Sequence, residues 1–463
     1  MAANGQADRA AQVRIQLKTK DGEIELPQET GPILVSTELK RYQLSTLVNR
    51  LLDTEKPVPL EFLINGQFLR TSLDEFLTQN GISAETLLNV EYVKALVPPL
   101  HVASYEHDDW ISSVDVLSLS SEAAQWTSTT DPIQNRILSG SFDGSLRVWN
   151  TSGNAVATGQ WHKSRVNAAK FLSPTQVVSG SVDRSVLLWD YKDSQTSTGT
   201  LKPKLELLGH TSSVEDVAVH APSSRILTAS SDHQIGIWST KKSEGPAALE
   251  PTTTPSSNKR RKISGPEITI PQRGALSLLP GHRSSVNSII FDSTDPTVAY
   301  SISSDHSLKT WDLPTTTCID TRTTATALTS LCHLPDHGLI AVGSAERHIS
   351  LIDPRANATK VVAMTLRGHS GWIQSLAKDP SSSYQFVSGS NDGTCRIWDI
   401  RSGGNEAGGE RVGHSVFVIE RESQKGAKKA ETGDASRVFG VAWDQEVGIV
   451  SGGRDKMLQI NRG

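Results

Sequence analysis

A motif that recurs seven times constrains the fold of this 463-residue chain more than any other feature. Each copy has an apolar strand, a run of small residues, an acidic or polar turn and a second apolar strand. The copies read ILSGSFDGSLRVWN, VVSGSVDRSVLLWD, ILTASSDHQIGIWS, AYSISSDHSLKTWD, IAVGSAERHISLID, FVSGSNDGTCRIWD and IVSGGRDKMLQIN. The shorter spacings between their closing residues fit the ~40–45 residues of a small four-stranded sheet; those closing residues are Trp149, Trp189, Trp238, Trp311, Ile352, Trp398 and Ile460. The repeat therefore predicts a closed ring of seven such sheets.

Histidines and aspartates recur at fixed places around these copies. Glycine-histidine pairs stand at Gly209-His210, Gly281-His282, Gly368-His369 and Gly413-His414, with weaker versions at Glu106-His107 and Trp161-His162. Turn aspartates follow at Asp143, Asp183, Asp232, Asp305, Asp392 and Asp455. In this order the elements resemble those of the WD-repeat family, which folds as a β-propeller.

The resemblance implies a hydrogen-bonded set inside each blade, made of His, the turn Asp, a strand Ser or Thr and the Trp. The sets expected here are His210, Asp232 and Trp238; His282, Asp305 and Trp311; and His369, Asp392 and Trp398. A sheet packed between two others must satisfy its buried polar groups, and these side chains can serve one another. We therefore interpret the blade histidines as structural, not as metal ligands or catalytic groups.

Parts of the ring depart from the pattern. The fifth copy has Ala345-Glu346-Arg347 at its turn and ends in Ile352-Asp353, so we expect apolar packing in place of the polar set. The last copy lacks an outer strand. Rings of the WD-repeat family close with a segment ahead of the first repeat, so the resemblance makes Leu100 to Tyr105 the candidate here, and closure removes exposed sheet edges. Insertions are expected at 241–275 and 418–435. The first is rich in Pro, Ser and Thr, which predicts disorder.

The residues ahead of the ring, 12–95, read as a separate domain. VRIQLKTKDGEIEL predicts a hairpin that turns at Asp21-Gly22 and returns through Ile24 and Leu26. A one-faced helix follows, with Leu44, Leu47, Val48 and Leu51 on one face. Next come a second hairpin around Asn65-Gly66, a short helix capped by Ser72 and Glu75, and the strand LLNVEYV. This order resembles the ubiquitin-like roll.

The predicted fold class is thus an all-β seven-bladed WD-repeat β-propeller preceded by a small α+β ubiquitin-like domain. We expect a disordered N-terminus at 1–11, the ubiquitin-like (Notchless-like) domain at 12–95 and the propeller at 96–463.

Composition and motifs narrow the classes of function. The formal net charge is -4, which gives no global excess of positive charge for nucleic acid. The chain shows no nucleophile elbow, phosphate-binding loop, dinucleotide fingerprint or zinc-ligand spacing. Its cysteines, Cys318, Cys332 and Cys395, are far apart and predict reduced thiols. We expect a protein that is not an enzyme and has no cofactor and no metal site of its own.

The pairing of the two domains resembles a particular family. LKRYQLSTLVNRLL (39 to 52), EKPVPLEFLING (55 to 66), LRTSLDEFL (69 to 77) and LNVEYVKALVPP (88 to 99) are similar to the ribosome-biogenesis WD-repeat proteins of the PeBoW complex, which carry a Notchless-like domain. The resemblance implies assembly and pre-rRNA processing of the large (60S) ribosomal subunit. It implies block-of-proliferation-type and pescadillo-type partners, with the former bound by the propeller. It also implies that the AAA ATPase midasin grips the ubiquitin-like domain and releases the protein from the pre-60S particle.

The same resemblance assigns two sites. In GISAETLLNVEY, Glu85 occupies the loop position whose carboxylate completes the metal site of midasin, and Asp74 and Glu75 are nearby competitors. The basic cluster Lys259, Arg260, Arg261 and Lys262 is read as a nuclear localisation signal, in keeping with a place in the nucleolus and nucleoplasm; contact with RNA phosphates stays open. No membrane partner is expected. Two alternatives remain: a WD-repeat scaffold in ubiquitin or other signalling, and the sister Notchless-type assembly factor, which carries more blades.

Overall fold

The computed structural model describes residues 11–27, 31–53, 56–127, 133–193, 199–248, 270–356, 361–405, 411–425 and 437–463. The chain forms two compact units. The first runs to Pro98 and includes Ile400–Gly413, and the second comprises Pro99–Asp399 and His414–Gly463. Of the N-terminus predicted to be disordered, only Ala11 lies among the described residues.

The first unit contains one mixed five-stranded sheet and two helices. Its elements are β1 (Gln12–Lys18), β2 (Ile33–Ser36), α1 (Arg41–Leu52), β3 (Leu60–Ile64), β4 (Gln67–Phe68), α2 (Leu73–Gln79) and β5 (Leu88–Lys94), with a 3-10 turn at Gly22–Ile24. The sheet order is β2-β1-β5-β3-β4, and β1 runs parallel to β5 at its centre. This is the predicted ubiquitin-like roll.

Strand alternation and the helix stripe build the core of the roll. Side chains of a strand alternate between faces, so Val13 and Ile15 point inward from β1, as Val90 does from β5. Leu44 and Val48, one turn apart on α1, are fully buried against them. The predicted hairpin at Asn65-Gly66 is confirmed by the pairing of β3 with β4.

The first predicted hairpin is wrong. β1 pairs with β2, and the segment with Ile24 and Leu26 forms no strand. The Tyr92 hydroxyl donates to the Ile24 carbonyl oxygen at 2.8 Å and accepts from the Leu26 N–H at 3.1 Å. The backbone of this segment therefore bonds to a side chain of β5 instead of to β1.

The second unit is a ring of seven four-stranded antiparallel blades, as predicted, over the residues that the structure describes. Its opening strand is β6 (Leu100–Glu106), and a short helix, α3 (Glu122–Gln125), follows the first strand of blade one. The first three blades are built, in chain order, from β7 (Ile111–Leu117), β8 (Arg136–Ser141), β9 (Ser145–Asn150) and β10 (Ala155–Gln160); β11 (Val166–Ser173), β12 (Gln176–Ser181), β13 (Val186–Lys192) and β14 (Thr200–Leu207); and β15 (Val214–His220), β16 (Arg225–Ser230), β17 (Gln234–Ser239) and, after the two-residue strand β18 (Gln272–Arg273), β19 (Ser277–Pro280).

The remaining four blades continue the ring. They contain β20 (Val286–Phe291), β21 (Val298–Ser303), β22 (Ser307–Asp312) and β23 (Thr317–Thr323); β24 (Leu328–Leu334), β25 (Leu339–Ser344), β26 (His348–Ile352) and β27 (Val362–Arg367); β28 (Ile373–Lys378), β29 (Gln385–Ser390), β30 (Thr394–Asp399) and β33 (Phe417–Glu420); and β34 (Val438–Asp444), β35 (Gly448–Gly453) and β36 (Met457–Arg462). Between β30 and β33 the chain forms a short antiparallel pair, β31 (Gly403–Asn405) and β32 (Arg411–His414), whose residues up to Gly413 are grouped with the first unit. Further 3-10 turns lie at Pro335–His337 and Glu422–Gln424.

The seventh blade is completed by the strand that opens the ring. β6 pairs antiparallel with β36, with Ala103 opposite Ile460, which confirms the prediction for Leu100 to Tyr105. The innermost strands follow one another around the ring, and β34 of blade seven contacts β7 of blade one. Closure by the first strand therefore pairs the edge that β36 would otherwise expose.

Two predicted insertions differ from the structure. Val418–Glu420, assigned to the insertion at 418–435, belong to β33 and pair with β30 as the outer strand of blade six. Within 241–275, Gln272 and Arg273 form β18, which runs parallel to β14 at the edge of blade two. Residues 249–269 and 426–436 lie outside the described residues.

Candidate interaction site

The loop between α2 and β5 carries the acid that the sequence singles out. Gly81, with φ of +62°, reverses the chain after α2 in a conformation that favours glycine. Ile82 and Ala84 then pack against the core of the roll. The loop is anchored from inside, and Glu85 stands exposed on its outer side.

Hydrogen bonds within the loop hold the backbone at Glu85. Ser83 Oγ accepts from the Glu85 N–H at 3.3 Å, and the Thr86 hydroxyl donates to the Ser83 carbonyl oxygen at 2.7 Å. Leu87, two residues further on, is 47% exposed. Among the described residues no ion pair or hydrogen bond engages the Glu85 carboxylate, so both of its oxygens can meet a ligand from outside.

The competing acids lie in the first turn of α2. Asp74 and Glu75 are exposed there, where negative charge favours the helix N-terminus. Ser72 Oγ accepts from the Glu75 N–H at 3.3 Å, which is the half of the predicted capping box that Ser72 contributes. Both acids thus have a role within the helix, while Glu85 lies on a loop and remains the predicted partner-binding residue.

In blade six the structure brings the predicted polar set together. His369 Nδ1 lies 2.8 Å from Asp392 Oδ2, and its Nε2 lies 2.6 Å from Ser388 Oγ. The same hydroxyl accepts from Trp398 Nε1 at 2.8 Å. The other two predicted sets have the same bonds at 2.6–3.0 Å, made by His210, Asp232, Thr228 and Trp238 and by His282, Asp305, Ser301 and Trp311.

Burial sets the electrostatics of this hydrogen-bonded set. Burial lowers the pKa of His369, against the opposing effect of Asp392, so the imidazole is neutral at neutral pH. Burial alone would raise the pKa of Asp392, but hydrogen bonds led by that from His369 hold it below its usual range. The imidazole is completely closed to solvent, so no substrate can reach it.

Blade two has a fourth set that its weaker motif, Trp161-His162, only hinted at. His162 Nδ1 lies 3.1 Å from Asp183 Oδ2, and Nε2 lies 2.7 Å from Ser179 Oγ. Trp189 Nε1 donates to Ser179 Oγ at 2.8 Å. The glycine of the usual pair is therefore dispensable, and the histidine with its turn aspartate is the useful signal.

Blade one has a modified set. His107 Nε2 lies 3.1 Å from Ser139 Oγ, which also accepts from Trp149 Nε1. Arg147, however, lies between the histidine and the turn aspartate: it donates to His107 Nδ1 at 3.1 Å and to Asp143 at 3.0 Å. Burial, and then the positive charge of Arg147, lower the pKa of His107 to about 3.

Blade five relies on apolar packing, as predicted. Val342 and Ile352 stand where the other blades have the strand Ser or Thr and the Trp, and both are fully buried in one apolar cluster. Neither side chain has a polar group to satisfy, so the histidine is not needed.

Blade seven satisfies its polar groups in an unexpected way. Arg421, 1% exposed, donates from Nε and one terminal nitrogen to the two carboxylate oxygens of Asp455, at 2.9 and 2.7 Å. Its other terminal nitrogen donates to Ser451 Oγ at 2.6 Å. Arg421 thus has the place of the histidine. The pair Gly413-His414, which looked like the motif for this blade, ends β32, with His414 exposed.

The closing residue of blade seven is also shifted by one position. In blade one Ile137 faces Trp149, and the equivalent pair in blade seven is Ile449 with Asn461. Asn461, not Ile460, therefore has the register of the blade tryptophan. Its side-chain oxygen accepts from Gln459 at 2.9 Å.

The centre of the ring is a channel of about 1080 Å³ lined by the innermost strands. Its charged groups bind neighbouring blades to one another. Asp115 accepts from the Phe171 N–H at 2.7 Å and lies 3.4 Å from Lys170 Nζ, both on the next blade. Asp216 accepts from the Ser288 hydroxyl at 2.5 Å in the same manner. These acids have structural partners and are not assigned to a ligand.

The remaining candidates are metal-ligand groups, the cysteines, membrane-spanning helices and the basic cluster. Within the described ranges, no group of three or more His, Cys, Asp or Glu is arranged to hold a metal ion. Cys318 is exposed, while Cys332 and Cys395 are buried, and all are free thiols. None of the described helices has the length and apolar character to cross a membrane. The basic cluster Lys259–Lys262 lies outside the described residues.

Family comparisons match both units. The NLE (NUC135) domain model matches residues 13–77. The model called WD domain, G-beta repeat matches 99–150, 153–190, 201–239, 274–312 and 360–399. The five matched repeats are the blades that carry the histidine sets. The three inner strands of blade five and of blade seven fall outside these segments, which agrees with the departure of those two blades from the motif.

Full-length relatives extend this result. The chain is 56% identical over 473 residues to the ribosome biogenesis protein ytm1 of Aspergillus terreus, covering 99% of this chain and 98% of the relative. It is 57% identical to the protein of the same name from Aspergillus oryzae, covering 99% and 96%, and 56% identical to that from Aspergillus niger, covering 98% and 95%. These identities confirm the resemblance to WD-repeat proteins of ribosome biogenesis with a Notchless-like N-terminal domain. The chain belongs to the family of ribosome biogenesis proteins named ytm1.

Proposed function

We propose that this protein is a non-catalytic assembly factor for the large (60S) ribosomal subunit and is needed for pre-rRNA processing. The observation that carries the proposal is the near-complete match to proteins named for ribosome biogenesis, over both the roll and the ring. In this role the protein assembles its neighbours on a particle and transforms none of them.

The ring is the part that we assign to stable partner binding. It holds a block-of-proliferation-type protein, and through it a pescadillo-type protein, on the pre-60S particle. Support comes from its construction: the histidine sets are closed to solvent, and closure by β6 pairs the final sheet edge, so the surface left for function is that of a rigid platform.

The roll is the part that we assign to release. Glu85 supplies a carboxylate oxygen to a divalent ion held by midasin, since hard cations prefer oxygen ligands. The support is local geometry. Ile82 and Ala84 anchor the loop, Ser83 fixes the backbone at Glu85, and the carboxylate is exposed. The ion belongs to the partner, and this chain contributes the one ligand.

The protein acts in the nucleolus and nucleoplasm, with Lys259, Arg260, Arg261 and Lys262 as its import signal. The sequence leaves two competing assignments open. The ring has seven blades over the described residues, which weighs against the sister Notchless-type factor with its larger number. A scaffold of ubiquitin signalling has no support from the names of the full-length relatives.

Sedimentation of cell extract tests the proposal. The tagged protein should migrate with pre-60S particles, and its depletion should leave precursors of the large-subunit rRNA uncleaved. A small-subunit protein of similar abundance, depleted in parallel, controls for general loss of growth. A pool that sediments only as free protein, together with normal rRNA precursors, would contradict the proposal.

A further inference from the structure

Two positions in every blade face the same end of the ring, and a hydrogen bond identifies them. The residue after the second strand donates its N–H to the carbonyl of a residue at the start of the first strand. The seven bonds are 2.8–3.1 Å long and join Phe142 to Trp110, Val182 to Arg165, Ser231 to Ser213, Ser304 to Ser285, Ala345 to Ala327, Asn391 to Trp372 and Arg454 to Arg437. These fourteen residues are therefore equivalent in geometry, and their side chains can be compared directly.

The side chains at these positions divide the ring into two arcs. Blades three, four and five have only Ser or Ala at both positions. Blades six, seven, one and two, which are consecutive around the closed ring, have the large residues. We call the six largest the large-residue arc: Trp372, Arg437, Arg454, Trp110, Phe142 and Arg165.

The middle of the large-residue arc is a packed aromatic and arginine cluster. The ring of Trp110 lies 5.2 Å from that of Phe142, and Phe142 stacks at 5.6 Å on Phe439 of blade seven. The guanidinium of Arg454 lies over Trp110 at 4.6 Å, and that of Arg165 lies over Phe142 at 5.2 Å. Three blades thus present one continuous, preorganised surface.

At one end of this arc, the side chain of Trp372 is exposed to solvent and could be covered by a partner. It is 54% exposed, whereas Trp398 of the same blade is fully buried. Large exposed aromatic groups beside arginines are the residues that dominate binding energy in protein interfaces. The arc therefore has an apolar anchor as well as its central cluster.

The charges on this end of the ring specify the partner. Arg165 stands with the exposed Lys163 and Arg184 of blade two. Asp183 bonds to His162 and to the Lys163 N–H. Asp108 and Asp143 bind Arg147, although the Asp108 side chain stays 85% exposed. The large-residue arc itself contains three arginines and no acid, so its own charge is positive.

We propose that the large-residue arc is the docking surface for an acidic protein segment, one that places carboxylates on either side of an apolar side chain. The inference rests on the proposed function, because this segment belongs to the protein partner assigned to the ring. RNA fits less well. A base would stack on a free aromatic face, but guanidinium groups already lie over Trp110 and Phe142.

Binding of the purified block-of-proliferation-type partner to the full-length chain tests this inference. Trp372→Ala removes the exposed ring, and Arg165→Glu reverses an exposed charge without touching the backbone bond. Each should weaken binding by roughly tenfold or more, as for interface hot spots. Arg165→Glu should also reduce the salt dependence of the association rate. Arg283→Glu is the matched control, since Arg283 is exposed on blade four, one of the three blades that have only Ser or Ala at the compared positions.

The outcomes separate the two proposals. Suppose that Trp372→Ala and Arg165→Glu each change the affinity for the partner by less than twofold, while thermal unfolding is unchanged. This result would overturn the docking surface and leave the assembly role standing. Equal weakening by Arg283→Glu would also overturn it, because charge alone would then explain the effect. If a fluorescent single-stranded RNA binds the wild-type chain and neither arc variant binds it, the ligand of the arc is RNA and the proposal of an acidic protein segment is wrong. Failure of the wild-type chain to bind the partner would remove both the partner assignment and the inference built on it.

Discussion

Arg421 and Asp455 form a two-bonded ion pair, at 2.9 and 2.7 Å, in blade seven, where the arginine has the place of the set histidine. Their side chains are 1% and 7% exposed. The remaining donors of the guanidinium are used by Ser451 and by the Met457 carbonyl. Since Arg421 follows the outer strand of blade six and Asp455 lies in blade seven, the pair links two neighbouring blades beside the closure point of the ring.

Arg421→Ala should therefore strongly destabilise the propeller. Removal of Arg421 leaves the buried Asp455 carboxylate without a counter-charge, bonded only to the Ser423 hydroxyl and the Met457 N–H, at a cost of about 3–5 kcal/mol. Chemical denaturation followed by tryptophan fluorescence measures this change. Arg225→Ala is the control, because its bond to Glu244 lies at the solvent-exposed surface, where ion pairs contribute little to stability. Equal losses in the two variants would show that the blade-seven pair has no special role.

The acid at the blade turn should matter where it bonds to a buried partner, and should not matter in blade five. Asp392→Ala removes an acceptor from His369 and from the Ser370 and Thr394 N–H groups, and we expect a loss of about 3 kcal/mol. Glu346→Ala, at the equivalent turn of blade five, should stay within about 0.5 kcal/mol of the wild type. Both values come from the same unfolding measurement. A comparable loss at Glu346 would contradict the apolar account of blade five.

Stability should fall as the pH drops below neutrality, and His107 should contribute. Its folded-state pKa, about 3, lies below the unfolded value near 6.5. The folded state therefore favours the neutral ring, and the contribution is complete above pH 6.5 and declines as the pH falls toward 3. Between pH 7.5 and 5 the expected loss from this group is on the order of 2 kcal/mol.

Unfolding at several pH values checks this sign. His107→Gln removes the titration, so its free energy of unfolding should fall less steeply between pH 7.5 and 5 than that of the wild type. A steeper dependence of the unfolding free energy on pH in His107→Gln would mean that the His107 imidazole is protonated in the folded protein.

Most of the fold could be predicted from the sequence because each blade repeats one consistent local pattern. The small-residue strand, the turn aspartate and the tryptophan recur together, so a single misread copy changes little. Completion of the last blade by Leu100 to Tyr105 is implied by the resemblance to the WD-repeat family. The polar sets at His210, His282 and His369 are implied by the same resemblance.

The errors lie where a distant side chain decides the local structure. The hairpin through Ile24 and Leu26 failed because Tyr92, more than sixty residues away, binds that backbone. Arg421 was missed because the pattern asks for histidine, although a guanidinium can satisfy the same acceptors. Gly413-His414 matched the motif but not the register. The large-residue arc needed the seven equivalent hydrogen bonds, which sequence alone does not align.

Thiol labelling should separate the three cysteines. Burial raises the pKa of Cys332 to about 12 and that of Cys395 to about 11, so neither forms the reactive thiolate near neutral pH. Cys318 is exposed on the outer strand of blade four. An excess of iodoacetamide should modify one thiol in the native protein and three after unfolding, as counted by mass spectrometry. Rapid native labelling of Cys332 or Cys395 would contradict the buried blade packing.

The loop of Glu85 allows a direct test of the proposed release by midasin, because the residues that anchor the loop are different from the proposed metal ligand, Glu85. Glu85→Ala keeps Ile82, Ser83 and Ala84, so the roll should fold normally while magnesium-dependent binding to the midasin metal-site domain is lost. Glu85→Asp should weaken binding, since the shorter side chain cannot bring its oxygen to the ion unless the loop moves. Binding measured with and without a chelator reports the metal contribution directly.

Asp74→Ala is the matched control for this experiment. Asp74 is exposed in the same unit but lies in the first turn of α2, where its charge stabilises the helix. Its removal should lower stability by roughly 0.3–1 kcal/mol and leave metal-dependent binding intact. If Glu85→Ala still binds in a chelator-sensitive manner and Asp74→Ala does not, the ligand is the helix acid and the assignment moves to α2. If both bind, neither Glu85 nor Asp74 is the ligand, the assignment of Glu85 is wrong, and Glu75 is the remaining candidate acid.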